Sequence, residues 1–338
     1  MTLSERIDAF SLLGERLKNM PEDELLSLVS AARAHNTWFD EPNVRHAFKG
    51  IIKMLEKDAL IEWTSKYDFL KPINKHKVGL VLAGNIPMVG FHDVLCVLIS
   101  GQDLLVKLSS QDEVLMKFIF ARLGEIEPRF LDQFEIVDML KGMEAVIATG
   151  SDNSARYFEK YFSKFKNIIR QNRTSVAVLN GEETKEDLLE LSKDILTYYG
   201  LGCRNVAKIY APENYDFFNL MEALEVQGKE AVNNQKYVNN YDYNKSIYLV
   251  DKIDHLDNGA VITTKSENLV SPISVFYHEN YSDEADLKSK ISAHQDKIQC
   301  IVSKGAWYAG SFDLGEAQLP ELWDYADGVD TMKFLLEL

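Results

Sequence analysis

The sequence is poor in cysteine, glycine and proline, and each shortage excludes a class of protein. Its 338 residues contain three cysteines, 18 glycines and 8 prolines. The cysteines, Cys96, Cys203 and Cys300, are odd in number and widely spaced, which excludes a disulfide framework and a Cys-x-x-Cys metal site. The hydrophobic content of 46% excludes a disordered chain. Length and composition instead predict a globular protein of about two domains.

Long hydrophobic runs and a net positive charge are also missing. No apolar stretch reaches the roughly 18 residues of a membrane-spanning helix. The first residues carry charges every few positions, unlike a signal peptide. The formal net charge of −15 disfavours nucleic acid and anionic lipid as partners. We therefore expect a cytoplasmic protein with reduced thiols, no membrane span and no nucleic-acid partner.

The common nucleotide and metal fingerprints are absent from the sequence. There is no Walker Gly-Lys-Ser/Thr motif, no His-Glu-x-x-His motif, and no Gly-x-Gly-x-x-Gly after a predicted strand. Gly200 and Gly202 begin like the last of these, but they follow a predicted helix. We expect no bound metal, and a nucleotide site would have to use another pattern.

Two kinds of pattern alternate along the chain. Residues 1–70 show leucine and valine at helical spacing, with a helix start at 21–24, and predict a helical N-terminal segment. Short runs of valine, isoleucine and leucine then alternate with helical stretches, which is typical of βαβ units in a doubly wound parallel sheet. The predicted strands of this sheet are 78–84, 103–109, 134–139, 145–150 and 175–181.

A second set of elements follows Gly200 and predicts another α/β domain. Its predicted strands are 204–212, 246–251, 259–265, 273–277 and 298–303, with helices near 215–232 and 283–294. No linker rich in glycine, serine or proline separates the two sets. The boundary therefore rests on the end of the long helix predicted at 184–200.

Turns that follow the strands are the places to look for a site, because open parallel sheets bind ligands beyond the carboxyl ends of their strands. The first strand leads into Gly84-Asn85, where asparagine offers an amide donor. The fourth leads into Gly150-Ser151, at the start of a helix whose N–H groups can receive a phosphate. Ordinary turn and cap chemistry explains both pairs equally well.

Cys203 is the candidate nucleophile among the three cysteines. Cys96 and Cys300 lie inside apolar runs, where a thiol is usually a small core hydrophobe. Cys203 instead follows Gly202 in a polar turn between a helix and a strand, where a side chain can be approached. Lys107 ends an apolar strand and needs a cofactor ribose or phosphate as its partner, or else a solvent exit at a sheet edge.

Four short motifs, taken in order, resemble the aldehyde dehydrogenase superfamily, and more closely its fatty acyl-CoA reductase branch, which supplies aldehyde to bacterial luciferase. They are Ala-Gly-Asn-Ile-Pro at 83–87, Gly-Gln-Asp-Leu-Leu-Val-Lys at 101–107, Ala-Thr-Gly-Ser at 148–151 and Gly-Leu-Gly-Cys at 200–203. The resemblance implies an aldehyde-dehydrogenase-like α/β fold, in which a doubly wound parallel cofactor-binding sheet is joined to a second α/β catalytic domain. The implied organisation is a helical segment at 1–70, a dinucleotide-binding domain at 71–199, a catalytic domain at 200–305, and a C-terminal segment at 306–338 that returns to the cofactor domain or to a subunit interface.

The resemblance also implies roles for individual residues. Cys203 would attack an acyl-CoA thioester and carry the acyl group until hydride transfer releases it as an aldehyde. Asn85 and the backbone N–H of Cys203 would form the oxyanion hole. Lys107 would bind the adenosine ribose of the cofactor, and Gly150 and Ser151 would begin the helix beneath its pyrophosphate.

Three departures from the family pattern refine these roles. Hydrolytic aldehyde dehydrogenases carry a glutamate base in a Glu-Leu-Gly-Gly-Lys segment, whereas residues 170–174 here read Arg-Gln-Asn-Arg-Thr, which favours acyl-CoA reduction over oxidation to an acid. Ser110 stands where NAD-preferring relatives place a glutamate that would repel a 2′-phosphate, so NADPH is favoured. Asn268 replaces the glutamate of the Glu-x-Phe-Gly-Pro segment, so that ribose contact is not carried over.

The predicted function is that of an NADPH-dependent fatty acyl-CoA reductase that forms a thioester on Cys203 and releases a long-chain aldehyde. Two alternatives stay open. Cys203 could pass its acyl group to another thiol or amine without a redox step, or the chain could be a non-catalytic partner of an acyl-activating enzyme. The resemblance also allows for a partner of the acyl-protein synthetase type and for a homo-oligomer.

Overall fold

Four helices precede the first strand of the protein, whose structure here is a computed structural model that describes residues 1–69, 74–150 and 152–338. They are α1 (Leu3–Lys18), α2 (Glu22–His35), α3 (Glu41–Met54) and α4 (Lys57–Ser65). Thr2 caps α1 in a capping box with Glu5, and Asp40 caps α3 by accepting the N–H of Asn43 at 3.1 Å. The predicted helical N-terminal segment, with its helix start at 21–24, is confirmed.

Five parallel strands form the first sheet. They are β1 (Lys77–Val81), β2 (Asp103–Lys107), β3 (Phe134–Ile136), β4 (Ala145–Thr149) and β5 (Lys166–Arg170), connected by helices α5 (Phe91–Ser100), α6 (Glu113–Ile126) and α7 (Asp152–Phe162). The order across the sheet is β3-β2-β1-β4-β5. The chain moves outward from β1 to β3, returns to β4 beside β1, and moves outward again. The predicted doubly wound parallel sheet is thereby confirmed.

Six strands form a second sheet, in the order β11-β6-β7-β10-β9-β8. The strands are β6 (Thr174–Val178), β7 (Val206–Pro212), β8 (Leu256–Asp257), β9 (Ile262–Lys265), β10 (Val275–Tyr281) and β11 (Ile298–Val302). Their pairings are parallel except that of β8 with β9. The helices among these elements are α8 (Lys185–Leu196), α9 (Phe218–Ala231), α10 (Gln235–Val250) and α11 (Glu284–Ser292).

The chain divides into two compact units, each built around one of these sheets. The first comprises Met1–Asn172 and Pro320–Leu338, and the second comprises Arg173–Leu319. The sequence-based boundary near residue 200 lies inside the second unit, because β6 pairs with β7 and β11 rather than with the first sheet. In the first unit, the last helix, α12 (Thr331–Leu336), packs on α5.

Two strand predictions are wrong. Residues 175–181 are predicted as the fifth strand of the first sheet, but β6 belongs to the second sheet and β5 takes that place. Residues 246–251 are predicted as a strand, but they lie at the end of α10. The helix is selected by burial of one face, since its buried side chains recur at intervals of three or four positions: Tyr237, Tyr241, Asn244 and Tyr248.

A buried ion pair joins β5 to α5 inside the first unit. Arg170 donates from Nη1 to Oδ2 of Asp93, and from Nη2 to Oγ1 of Thr331 at 2.9 Å. Side chains of the pair are only 5% and 8% exposed. Burial alone would lower the pKa of Arg170, but the carboxylate of Asp93 keeps it above its ordinary value. Arg170 is the first residue of the segment 170–174, where the family pattern has a catalytic glutamate. In this protein the position holds an arginine with a structural role.

Removing Asp93 leaves the Arg170 guanidinium buried without a carboxylate. We expect Asp93→Ala to lower the free energy of unfolding of this unit by about 3–5 kcal/mol, measured by urea unfolding. Asp8→Ala is the matched control, because it breaks the pair with Lys57, in which both side chains are more than half exposed. Equal shifts in the two variants would contradict a stabilising role for the buried pair.

Candidate functional site

The carboxyl edge of the first sheet has a switch point between β1 and β4, where the chain reverses its direction of winding. Val81 of β1 lies opposite Lys107 of β2 on one side and Ala148 of β4 on the other. Loops that follow these three strands therefore begin at the same edge of the sheet. Open α/β sheets bind their ligands in the crevice at such a point.

The loop after β1 is packed tightly against the loop after β2. Gly84 is buried, and a Cβ atom there would lie 2.4 Å from Oγ of Ser109 and 3.2 Å from Cβ of Asp112. Only glycine allows this approach. The next residue, Asn85, is exposed, and its contact with a ligand stays a prediction.

The loop after β1 is also held by the buried side chain of Asp112. Met88 has a left-handed backbone with φ of 54°, which is unfavourable for a residue other than glycine. Its N–H donates to Oδ2 of Asp112 at 2.7 Å. Asp112 is 2% exposed, and burial raises the pKa of its carboxyl well above the ordinary value, although the Met88 N–H opposes this shift. Asp112 was not predicted as a site residue, and its only sequence signal is its position before α6.

Lys107 and Ser110 face solvent at this edge. Lys107 ends β2 with an exposed side chain, and its carbonyl accepts the N–H of Leu82 at 3.1 Å. Because β2 lies between β1 and β3, Lys107 is not on an edge strand. Its side chain reaches solvent at the carboxyl end of β2. Ser110 is exposed three residues later.

Gly150 follows β4 and makes a close approach to α7. A Cβ atom at this position would lie 2.8 Å from Cβ of Ser154 and 2.9 Å from the ring of Phe158. Glycine is thus required for the helix to start directly against the sheet, as in dinucleotide-binding turns. Ser151, the other predicted residue of this turn, lies outside the described residues.

Cys203 lies in the second unit, in the turn between α8 and β7. Its side chain is half-buried, whereas Cys300 is 6% exposed and Cys96, in the first unit, is fully buried. The Cys203 carbonyl accepts a hydrogen bond from Oγ of Ser175 at 3.0 Å, and Asn205 closes the turn by donating its N–H to the carbonyl of Gly202 at 3.0 Å. The turn is therefore well anchored. Its meeting with Asn85, which belongs to the first unit, stays a prediction.

The other two cysteines, Cys96 and Cys300, are buried. Burial raises the pKa of the Cys96 thiol well above its ordinary value. The nearby imidazole of His92 is half-buried, its Nε2 lies 3.0 Å from the carbonyl of Leu322, and desolvation lowers its pKa. The Sγ atom of Cys300 lies 3.0 Å from Oγ of Ser175, and both residues belong to strands of the second sheet. The prediction that Cys96 and Cys300 are core residues is confirmed.

Arg204, beside the candidate nucleophile, points into the second unit. It is 9% exposed, its Nε donates to the carbonyl of Ala317, and its guanidinium stacks over Phe312 with 4.9 Å to the ring centroid. Asn268 is exposed in the loop after β9, and the carbonyl of neighbouring Glu267 accepts a hydrogen bond from the fully buried Lys208 at 2.9 Å.

Residues 1–69, 74–150 and 152–338 contain neither a cluster of metal-binding side chains nor a helix able to cross a membrane. No group of three or more His, Cys, Asp or Glu side chains in this part of the chain could hold a metal ion. Within the same residues, the helices are too short or too polar to cross a membrane.

Several solved structures with a similar fold are aldehyde dehydrogenases. Aldehyde dehydrogenase 21 from Physcomitrella patens, in complex with the reaction product succinate, matches with a TM-score of 0.68 and 15% identity, covering 100% of this chain and 84% of that one. An NAD-dependent aldehyde dehydrogenase from Sinorhizobium meliloti matches with a TM-score of 0.67 and 10% identity, covering 94% of this chain and 72% of that one. An NADP-dependent enzyme from E. coli matches with a TM-score of 0.65 and 13% identity, covering 96% of this chain and 77% of that one. The fold is that of the aldehyde dehydrogenase superfamily.

The family itself is given by the sequence. Residues 44–229, more than half of the chain, match the acyl-CoA reductase (LuxC) family. The comparison with curated proteins gives no match. The chain belongs to the acyl-CoA reductase (LuxC) family of oxidoreductases, and its fold is that of aldehyde dehydrogenases. The resemblance identified from the four motifs is confirmed.

The contact between Gly84 and Ser109 can be tested by a double-mutant cycle. We expect Gly84→Ala to destabilise the first unit by about 1–3 kcal/mol, because the new methyl group collides with Ser109. Ser109→Gly removes the colliding atoms, so the double variant should recover most of the loss in a thermal unfolding assay. A double variant no more stable than Gly84→Ala would contradict the close packing of the two loops.

Proposed function

We propose that this protein reduces an acyl-CoA to an aldehyde through a thioester on Cys203, with NADPH as reductant. The observation that carries the proposal is the setting of Cys203, a half-buried thiol in an anchored turn of a chain that belongs to the acyl-CoA reductase family. Cys96 and Cys300 are buried and cannot meet a large substrate without unfolding. The long acyl chain is proposed from the family resemblance.

The carboxyl edge of the first sheet fits a dinucleotide. Lys107 supplies an exposed ammonium at the end of β2, suited to an adenosine ribose, and Gly150 opens the helix N-terminus where a pyrophosphate is stabilised by free N–H groups. Ser151 would complete this turn. The first unit is therefore the proposed cofactor domain, and the second, which carries Cys203, is the proposed catalytic domain.

The chemistry has two steps, acylation and reduction. In the first, the Cys203 sulfur forms a bond to the acyl carbon, the carbon–sulfur bond to CoA breaks, and CoA leaves as a thiol with the proton from Cys203. A nicotinamide cofactor, when bound by the first unit, would supply the hydride that converts the thioester to an aldehyde. Breaking the bond to Cys203 then returns the thiol, which takes up a proton from solvent. The overall reaction consumes one hydride and one proton for each acyl-CoA.

Both steps place negative charge on the acyl oxygen. We propose that the side-chain amide of Asn85 and the backbone N–H of Cys203 donate to this oxygen, an arrangement in which loss of one donor typically costs about 10²–10³ in rate. Support comes from the exposure of Asn85 on a loop fixed by Asp112. Release of the acyl group to water is disfavoured because Arg170, bound to Asp93, begins the segment where hydrolytic relatives carry their glutamate base.

The preference for NADPH rests on Ser110. An exposed serine at this position leaves space for a 2′-phosphate, whereas a carboxylate would repel it. A cytoplasmic location, assembly as a homo-oligomer and a partner of the acyl-protein synthetase type belong to the same proposal. The location is supported by the three widely spaced cysteines, and the other two by the family resemblance alone.

Removal of the nucleophile tests the proposal directly. We expect Cys203→Ala to abolish acyl-CoA-dependent NADPH oxidation, with a loss of at least about 10³-fold. Cys96→Ala is the control and should keep the activity, because that thiol is buried. An acyl group found on Cys203 by mass spectrometry with no NADPH consumed would instead support the acyltransferase alternative. Full activity in Cys203→Ala would refute both.

Cofactor choice is tested at Ser110. We expect Ser110→Glu to raise the KM for NADPH about tenfold or more, equivalent to ~1.4 kcal/mol of repulsion, while the KM for NADH changes little. Ser110→Gln is the matched control, because it adds the same bulk without charge. The assignment is wrong if both variants weaken NADPH equally, or if Ser110→Glu weakens NADH as much as NADPH.

A further inference from the structure

The turn that carries Cys203 begins with an unusual backbone. Tyr198, Tyr199 and Gly200 are all left-handed, with φ of 55°, 59° and 76°. Glycine tolerates this conformation, but it is unfavourable for tyrosine. Both tyrosines are buried, and such a run persists only where surrounding contacts hold it. Strain of this kind concentrates at functional sites.

Asn205 connects the end of α8 to the turn. Its Nδ2 donates to the carbonyls of Thr197 at 2.7 Å, Asp194 at 3.1 Å and Ile195 at 3.3 Å, at and just beyond the end of α8. Its Oδ1 accepts the N–H of Gly202 at 2.8 Å. The side chain is 2% exposed. One amide therefore spans the left-handed run and fixes the residue just before Cys203.

Ser175 holds the carbonyl of Cys203, on the other side of that residue from Gly202. Its hydroxyl donates to the carbonyl of Cys203 at 3.0 Å and accepts the backbone N–H of Cys300 at 3.1 Å. Ser175 is fully buried at the start of β6, the strand that pairs with β7. Because β7 follows the turn directly, the position of the Cys203 backbone is set relative to the sheet and not only to its neighbours in sequence.

We propose that Asn205 and Ser175 are positioning residues that hold the backbone of Cys203 in the orientation needed for attack on the thioester. This inference rests on the proposed function of Cys203. The sulfur and the backbone N–H of Cys203 must both point at one acyl group, the first to attack its carbon and the second to bind its oxygen. Because the backbone is fixed at Gly202 and at the Cys203 carbonyl, the sulfur and the N–H of Cys203 can take only a narrow range of orientations. In a loose turn, the two groups would not stay directed at the same acyl group.

Two rates on the full-length protein separate positioning from stability. The first is single-turnover release of CoA from acyl-CoA without nucleotide, which measures acylation of Cys203. The second is alkylation of each cysteine by iodoacetamide, followed by peptide mass spectrometry. The variants are Asn205→Ala and Ser175→Ala. Asn258→Ala is the matched control, because that amide likewise bridges backbone groups elsewhere in the second unit, accepting the N–H groups of Ala260 and Val261 and donating to the carbonyl of Met221.

We expect Asn205→Ala to slow acylation at saturating acyl-CoA by roughly 10²-fold, with a smaller loss for Ser175→Ala and no change in KM. Alkylation should rise at Cys203 alone, since a loosened turn exposes that thiol while Cys96 and Cys300 stay buried. Asn258→Ala should lower stability without changing either rate.

Three results would overturn the inference. Wild-type acylation rates in Asn205→Ala and Ser175→Ala would show that the turn needs no such anchors, while leaving the proposed function intact. A rise in alkylation at all three cysteines would show general unfolding instead of a local effect. If Asn205→Ala does not fold, the acylation rate of Ser175→Ala alone decides whether the turn is a positioning element, because that substitution removes only one hydroxyl group. If the wild-type protein forms no acyl-Cys203, the proposed function fails and this inference fails with it.

Discussion

Buried backbone N–H and carbonyl groups must find hydrogen-bond partners, and in this protein that requirement shapes both loops of the proposed site. The loop after β1 cannot continue a strand or a helix, and the carboxylate of Asp112 accepts its Met88 N–H. The amide of Asn205 donates to carbonyls at the end of α8, and the hydroxyl of Ser175 donates to the carbonyl of Cys203. Buried polar side chains therefore hold both loops, which contain the left-handed residues Met88, Tyr198 and Tyr199.

These anchors place the chemistry on rigid supports. The Asn85 loop is packed against the loop that carries Lys107 and Ser110, through the contact of Gly84 with Ser109. A cofactor held by the second loop would therefore be positioned relative to the first without any further element. In the second unit, Cys203 is tied to a strand and a helix at once. Preorganised donors of this kind stabilise charge in a transition state without moving, which is the main source of rate enhancement in acyl transfer.

The sequence predicts the elements of this fold better than it predicts their partners. Runs of valine, isoleucine and leucine identify β1, β2 and β4 because a strand buried on both faces leaves a continuous apolar signature. The same signal fails at 246–251, where tyrosines spaced for one helix face decide the outcome, and at 175–181, since apolar content does not say which sheet a strand joins. Cys203, Asn85 and Lys107 are proposed from their sequence context and from motif order. Asp112, Ser175 and Asn205 have no such signal, because they are recognised by contacts that only the folded chain creates.

The central claim is that one acyl group passes from CoA to Cys203 and then to hydride. Its most direct test isolates the enzyme after reaction with radiolabelled acyl-CoA in the absence of nucleotide, and then adds one equivalent of NADPH to the acyl-enzyme. The account predicts that the label leaves Cys203 in a single turnover and is recovered as aldehyde, with one NADPH oxidised for each acyl group. Label that remains on Cys203, or that is released as free acid while NADPH is unchanged, would contradict it.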